Sequence, residues 1–473
     1  NVIVDLDAGM GMRVIAYLVS RIFRDDKILI ITPSRASVWD TALTFKEFSG
    51  GDSWFGIIAG GVPKRLKIAN LRRRVTIATP ISLARLVEKD PTLVNDIGII
   101  IINEVDKVLR RICWHSVYEA NSSQDVDYIG FLSYPWNILK IYLPHSACWI
   151  GMSGTLRDEH FLYTTDGVKI KRELETLIEV LYPKKTTMII TMDTIIERTD
   201  AKNYIIRNLT VIKPIPVEDE NVKILVDSIS REIDDVIEKI REYNRRIYPD
   251  EPTPFDTKEK ILRTISILPN SNPLKIKFLR LALARRHIFA NIPNVYRKFV
   301  SRPMFRRIIQ KHHGVKLDDV IPRESTKVRK IANICEEWLR TNKESNIVVL
   351  TSFVRTAVEI WKKIKEITPN VHILTGRTYN KKTIIEEFKN KKPSILVLTP
   401  VAERDLDFPQ ASLVIIHDVI STVKSMYQRI KRARRSLVLI LYYKDTFEEK
   451  KVNVLLSRMI KRYPWSVKID AMQ

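Results

Sequence analysis

Cysteine is scarce. The 473 residues hold three, Cys113, Cys148 and Cys335, scattered without a C-x-x-C pair. That excludes a disulfide framework and a cysteine-rich zinc site, and it fits a reducing, intracellular setting, cytoplasmic or nucleoid-associated. No metal centre is expected. Long apolar runs are also missing: the longest, 99–102 and 437–443, fall far short of the ~18 residues of a bilayer span, so no membrane partner is expected. No charged-then-apolar leader opens the chain, and Asn1 already stands inside a strand-like run, as in a chain that lacks its first residues. Acidic residues are absent from one long stretch: from 260 to 317 there is no Asp or Glu, against fourteen Lys or Arg.

What is present is a globular balance, 45% hydrophobic and 28% charged, enough to fill more than one core. At ~150 residues per domain the length corresponds to roughly three domains, which excludes a single small binding module. Lys and Arg total 79 against 55 Asp and Glu, a net charge of +24. A surplus of that size suits a phosphate backbone, bound through counterion release, better than a neutral ligand. Nucleic acid is therefore the expected partner; a general basic bias of composition is the bland alternative.

Over 2–182 short β-branched runs (VIVDL, KILIITP, VTIAT, DIGIIIIN, ACWIGMS) alternate with helix-length amphipathic segments, the pattern of a parallel sheet covered on both faces. The rhythm returns at 348–350, 373–374, 395–398, 413–416 and 437–441. Between the two, strand signals fade after 211–215, and long helical patterns follow, broken by the Pro-rich stretch 248–255 and by Pro269, Pro293 and Pro303. The expected architecture is α/β, with two parallel-sheet domains at 1–198 and 331–473 and a helical, basic insertion at 199–330.

The insertion concentrates the charge. Lys275, Lys277, Arg285, Arg286, Arg297, Lys298, Arg302, Arg306, Arg307 and Lys311 are its candidate nucleic-acid contacts. The segment 218–242 before them is acidic and offers a competing reading, in which it neutralises some of these bases inside the fold. The aromatics among them, Phe278, Phe289, Tyr296, Phe299 and Phe305, fall on apolar faces, which favours core packing over base stacking.

The opening segment, strand then Gly9 and Gly11 then helix, has the layout of a phosphate-cradling loop, in which glycines admit the phosphates and a helix N-terminus attracts them. The chemistry calls next for a Lys on the β/γ-phosphates and a Ser or Thr hydroxyl on Mg²⁺, yet Met12 and Arg13 stand there. A buried-looking strand, 97–102, ends in Asn103 and Glu104, where a hydrolase carries an acidic pair for metal and water. Glu104 can orient or deprotonate a water; Asn103 is a neutral replacement for the metal-binding carboxylate.

In order, AGMGMR, ITPSR (31–35), ATP (78–80), NEVD (103–106), SGT (153–155), LTSFVRTA (350–357), TPVAERDLDFP (399–409) and QRIKRARR (428–435) resemble the motif series of superfamily 2 helicases. Spacing and insertion resemble the branch of the archaeal Hef helicases and the Fanconi anaemia M translocase, while SGTL also resembles XPD-type helicases. The resemblance spans nearly the whole chain. It implies two RecA-like domains around a helical, DNA-gripping insertion, ATP in the cleft, and fork or junction DNA as substrate. It further implies that Gln428 belongs to the nucleotide site, that Arg432 and Arg435 fill the arginine-finger positions, and that Ser34, Arg35, Thr79, Thr351, Arg355 and Thr399 line the nucleic-acid track.

The departures concern catalysis. Met12 replaces the phosphate-binding Lys, Arg13 the metal-binding Thr and Asn103 the metal-binding Asp; Asp405, Lys431 and Arg434 take glycine positions. Together they predict a degenerate nucleotide site (Gly9, Gly11, Met12, Arg13, Asn103, Gln428) with a catalytic remnant (Glu104, Arg432, Arg435), no required cofactor, and very weak or absent ATP hydrolysis. ATP with Mg²⁺ belongs to the rival reading of a slow translocase using Arg13 and Glu104. The expected function is a non-hydrolysing scaffold on branched or forked DNA in repair or fork processing, with a nuclease or another repair protein as partner. An RNA-binding or structural subunit is the third reading. No E-R-K-x-x-x-D nuclease block is present, so any cutting would come from elsewhere.

Overall fold

The computed structural model describes residues 1–7, 10–109, 132–154, 156, 160–164, 167–171, 173–181, 186–200, 203, 210–247, 265, 268–399, 411–419, 423–431 and 437–470. They divide into two compact units, Asn1–Tyr204 and Ile205–Gln473.

In the first unit β1 (Val2–Asp5) leads to α1 (Met12–Ile22), β2 (Ile28–Ile31), α2 (Arg35–Phe48), β3 (Gly56–Ile58), α3 (Lys64–Leu71), β4 (Val75–Ala78), α4 (Pro80–Val87) and β5 (Ile99–Asn103). Then follow α5 (Tyr134–Tyr142), β6 (Cys148–Ser153), a β7–β8 hairpin (His160–Thr164, Gly167–Lys171), α6 (Glu173–Leu181), β9 (Met188–Thr191) and α7 (Met192–Arg198). Seven strands form a parallel sheet in the order β3-β4-β2-β5-β6-β1-β9. β2, β4 and β5 are buried at every position. Their β-branched runs are unbroken because neither sheet face meets water.

The second unit runs through β10 (Thr210–Val217), α8 (Glu220–Ile247), α9 (Pro273–Ala290), α10 (Pro293–Val300), α11 (Pro303–His313), α12 (Leu317–Val320), α13 (Thr326–Thr341), β11 (Asn346–Leu350), α14 (Val354–Lys365) and β12 (Val371–Leu374). It ends with α15 (Lys381–Asn390), β13 (Ser394–Leu398), β14 (Leu413–Ile416), α16 (Val423–Lys431), β15 (Leu437–Tyr443), α17 (Phe447–Arg462) and β16 (Val467–Ile469). Its seven-stranded parallel sheet has the order β12-β13-β11-β14-β15-β10-β16.

β10 is an interior strand although it carries Pro214 and Pro216, which have no N–H for a ladder. The even-numbered residues of β10 bond towards β16: Thr210 N–H donates to Ser466, and the Ile212 carbonyl accepts from Asp470. Among the described residues β16 pairs only as far as Ile212, so both prolines point to a side where no described strand residue pairs with them. The second sheet thus recruits a strand that precedes the helical segment in the chain.

Helices α9, α11 and α12 pack on α8, and α10 packs on α9. On α8, Val222, Leu225, Val226, Ile229, Ile233, Val236 and Ile240 recur every three or four residues and are all buried. Tyr296 and Phe305 are about 1% exposed and Phe289 is buried, so these aromatics of the basic segment belong to the core.

One buried ion pair ties this layer to the sheet. Lys327 on α13 and Glu448 in the first turn of α17 are fully buried, with Nζ 2.7 Å from both carboxylate oxygens. The ammonium also donates to the carbonyls of His417, at 3.2 Å, and of Phe289 on α9, at 3.3 Å, and lies 4.5 Å from the Tyr443 ring. Tyr443 N–H donates to Glu448 as well, at 2.9 Å.

Removing one partner would strand the other charge in a dry core. Lys327→Met is expected to lower the unfolding free energy by about 3–5 kcal/mol in urea titration followed by circular dichroism, and Lys327→Met/Glu448→Leu to recover most of that loss.

Candidate nucleic-acid interface

The carboxyl ends of parallel strands are where such sheets receive ligands, and in both units this edge carries polar groups that the fold leaves unused. In the first, the ladder continues one step past β2, with Thr32 N–H donating to the Ala78 carbonyl at 2.9 Å, and past β4, with Thr79 N–H donating to Ile58 at 2.9 Å. The buried Thr32 Oγ1 and Asn103 Oδ1, one strand apart, have no hydrogen-bond partner among the described residues. In the second unit Thr399, Thr351 and His417 extend the ladder onto Leu374, Leu398 and Leu350 at 3.1, 3.1 and 2.9 Å. Thr351 Oγ1, Thr399 Oγ1 and His417 Nε2 are buried and equally without partner among the described residues. Buried polar atoms of this kind are rare, and a row of them needs an explanation.

Around Thr32 the first unit opens a cavity of about 360 Å³ whose lining includes Ser34, Arg35, Thr79, Asn103, Glu104 and Lys107. Residues from three separated motifs therefore meet in one place. Ser34 is the N-cap of α2, accepting from Ser37 N–H at 3.1 Å. Thr79 holds the N-cap of α4 without a side-chain cap hydrogen bond. Arg35 is exposed and passes over Gly61.

The nucleotide-site candidates have other engagements. Gly11, at φ +75°, is the N-cap of α1, a left-handed position that glycine fills without strain; Met12 begins the helix. Arg13 Nη2 donates to Asp40 Oδ2 on α2 at 3.1 Å. Glu104 adopts φ +54°, ψ +55°, a costly conformation for a residue with a side chain, and its carboxylate lies 3.9 Å from Lys107. Buried Asp106 accepts from Ser153 Oγ at 2.7 Å, which fixes the end of β6 to the end of β5. Gly9, Arg432, Arg435 and the side chain of Gln428 lie outside the described residues, as do Asp405 and Arg434; Gln428 itself stands in α16.

In the second unit Asp418 accepts from Ser352 N–H at 2.8 Å and from Ser352 Oγ. Burial alone would raise its carboxyl, but His417, Arg429 and Ser352 outweigh it and hold Asp418 well below the usual range. Burial pushes the His417 imidazole down, against the hydrogen bond and charge of Asp418. Arg355, exposed in the first turn of α14, enters no ion pair among the described residues.

The ten basic candidates of the helical segment divide. Lys275 is fully buried, its ammonium 2.6 Å from the Leu268 carbonyl, and burial lowers its pKa. Arg285 is half-buried against Ser230 Oγ at 3.2 Å and the Phe447 ring at 3.8 Å, and desolvation pushes it down to about 10. Lys277, Lys311 and His312 converge on Glu232, Lys311 also reaching Asp235 at 3.0 Å. Arg297 and Arg306 share Asp318 at 3.2 and 3.6 Å. Arg286, Lys298, Arg302 and Arg307 remain exposed and outside any ion pair among the described residues. The acidic segment thus neutralises part of the basic one, and the exposed remainder is what a polyanion can reach. Sequence reasoning passed over Asp40, His417 and the Lys327–Glu448 pair; for His417, the signal was a polar residue directly after a buried strand.

Comparison with known proteins places this geometry. Residues 329–436 match the family described as helicase conserved C-terminal domain. The helicase domain of Hef from Pyrococcus furiosus is similar in structure, with a TM-score of 0.60 and 17% identity over 97% of this chain and 95% of that one. The helicase MrfA bound to DNA gives 0.51 and 13%, over 99% of this chain and 48% of that one. The pre-mRNA-splicing ATP-dependent RNA helicase prp28 of Schizosaccharomyces pombe is 27% identical over 161 residues, 31% of this chain and 24% of that protein. This chain therefore spans about a quarter of the length of that relative. The two seven-stranded parallel sheets are the two RecA-like domains of a helicase fold.

Two outcomes test the local chemistry. Burial alone would raise the Glu232 carboxyl from its ordinary 4.5, yet hydrogen bonds from Lys277, His312 and Lys311 hold it at about 2. A depressed carboxyl contributes stability that is full above the unfolded value and is lost as pH falls towards the folded one. The stability gap between the native chain and Glu232→Gln is expected to close between pH 4.5 and about 2, read by urea titration across that window. Glu104→Gly, which removes the left-handed strain, is expected to raise stability by about 1 kcal/mol in the same assay.

Proposed function

We propose that this chain is a helicase-fold protein that grips branched or forked DNA without turning over ATP, a scaffold in repair or fork processing on which a nuclease or another repair protein can act. The observation that carries the reading is a contrast. The hydroxyls of Thr32, Thr351 and Thr399, without a partner among the described residues, are kept at the strand ends, while Arg13, the residue after the position of the missing lysine, is drawn to Asp40.

The residues present do not fit a magnesium–triphosphate. Met12 offers no charge, Arg13 no hydroxyl and Asn103 no carboxylate. Loss of one such electrostatic contact slows a reaction by about 10²–10³, and here three are replaced together. Hydroxyls, backbone N–H groups and guanidinium groups remain, and these bind phosphate and sugar without reading sequence. The helical segment, α8–α12, acts in this reading as the grip, through Arg286, Lys298, Arg302 and Arg307.

A slow ATP-dependent translocase is the second reading, favoured by Glu104, which stands in the cavity in a strained conformation of the kind that collects at active sites.

Filter binding of forked DNA, plain duplex DNA and duplex RNA across a salt series is the test. Tighter binding to forks, unchanged by Mg-ATP and without phosphate release, is expected. Equal binding to fork and duplex overturns the branched-DNA reading, preference for RNA replaces it, and DNA-stimulated phosphate release abolished by Glu104→Gln establishes the translocase. Arg302→Ala/Arg307→Ala is expected to weaken binding to all sequences alike and to lower the log–log salt slope by about 2, at ~0.9 per phosphate contact.

A further inference from the structure

Past Leu374, the end of β12, the chain makes a tight turn over 375–380 before α15 begins. The turn is fastened by its own hydroxyls. Thr378 Oγ1 accepts from Thr375 N–H at 3.0 Å, Thr375 Oγ1 accepts from Arg377 N–H at 3.3 Å, and Thr378 N–H donates to the Thr375 carbonyl at 3.1 Å. On this fastened backbone the Tyr379 ring stands wholly in water, 102% exposed, with no ring or hydrogen-bond partner among the described residues. Large aromatic side chains are normally kept at least partly covered.

The surroundings are cationic. Arg377 is exposed and Lys381 half-buried, and neither enters an ion pair among the described residues. α15 begins at Asn380 with no side-chain cap and no acidic residue in its first turn, so its leading N–H groups and its dipole add to the positive field. Thr375 is also level with the unpartnered row: Leu374 pairs with Leu398, which pairs with Leu350, and Thr375, Thr399 and Thr351 each follow directly. A bare ring, cationic groups and unused hydroxyls therefore share one edge of the second sheet.

We propose that Tyr379 is a stacking platform for an unpaired nucleobase, with Arg377 and Lys381 taking the flanking phosphates. This rests on the nucleic-acid reading above and adds to it a preference for single-stranded segments, because a base must leave its pair to offer a free face. Stacking of this kind tolerates any base and needs only the ring.

The experiment compares the native chain with Tyr379→Ala and Tyr379→Trp on a single-stranded DNA oligonucleotide and on the same strand made abasic throughout, by fluorescence anisotropy. On the base-bearing strand Tyr379→Ala is expected to bind about tenfold more weakly, while Tyr379→Trp matches or exceeds the native chain. On the abasic strand all three are expected to bind alike. Equal binding of the native chain and Tyr379→Ala to the base-bearing strand overturns the platform, as does an equal loss on both strands, which assigns the ring to backbone contact or folding. If the native chain binds neither strand, the nucleic-acid reading fails and the platform with it; if it binds and the variants do not differ, the platform alone fails.

Discussion

The Lys327–Glu448 pair is the constraint on which the second unit depends. An isolated charge in so dry a place would be prohibitively costly, so the pair is tolerated only because ammonium, carboxylate, two carbonyls and a backbone N–H satisfy one another. Such a site is demanding in geometry. Helices α13 and α17, the end of α9 and the end of β14 must all be in register before it closes. The His417 carbonyl is one of its acceptors, so the same contact that docks the helical layer also positions the polar row at the strand ends.

That row is what the rest of the unit supports. Buried atoms of Thr351, Thr399, His417, Thr32 and Asn103 without a partner among the described residues weaken the fold. Four of these residues, all but Asn103, stand one position past the last strand pair, on two sheets. In the first unit the Asp106–Ser153 bond ties the ends of β5 and β6 together at this edge, and Arg13 is engaged with Asp40.

Much of the fold was legible in the sequence. Short, unbroken apolar runs rich in β-branched residues, such as 28–31, 99–102 and 395–398, read as strands covered on both faces, and the motif residues Ser34, Arg35, Thr79 and Glu104 surround one cavity. The fate of the charges was not legible. Whether Lys277 faces water or Glu232 is decided by how α8 and α9 pack across a sequence separation of 45, and Lys275, two residues away, is buried instead. Composition registers a surplus of charge but not its direction. The strand signal at 211–215 was legible, but not its place inside the second sheet, between β15 and β16.

The two prolines of β10 have a wider consequence. Beyond Ile212 no described residue pairs with this flank of β10, and an unpaired flank of a sheet is a template on which a foreign strand can add. Pro214 and Pro216 present no N–H there, so an incoming strand would find acceptors without the donors that complete a ladder. A strand adding at this flank would thus lack a complete ladder, which works against pairing between sheet edges.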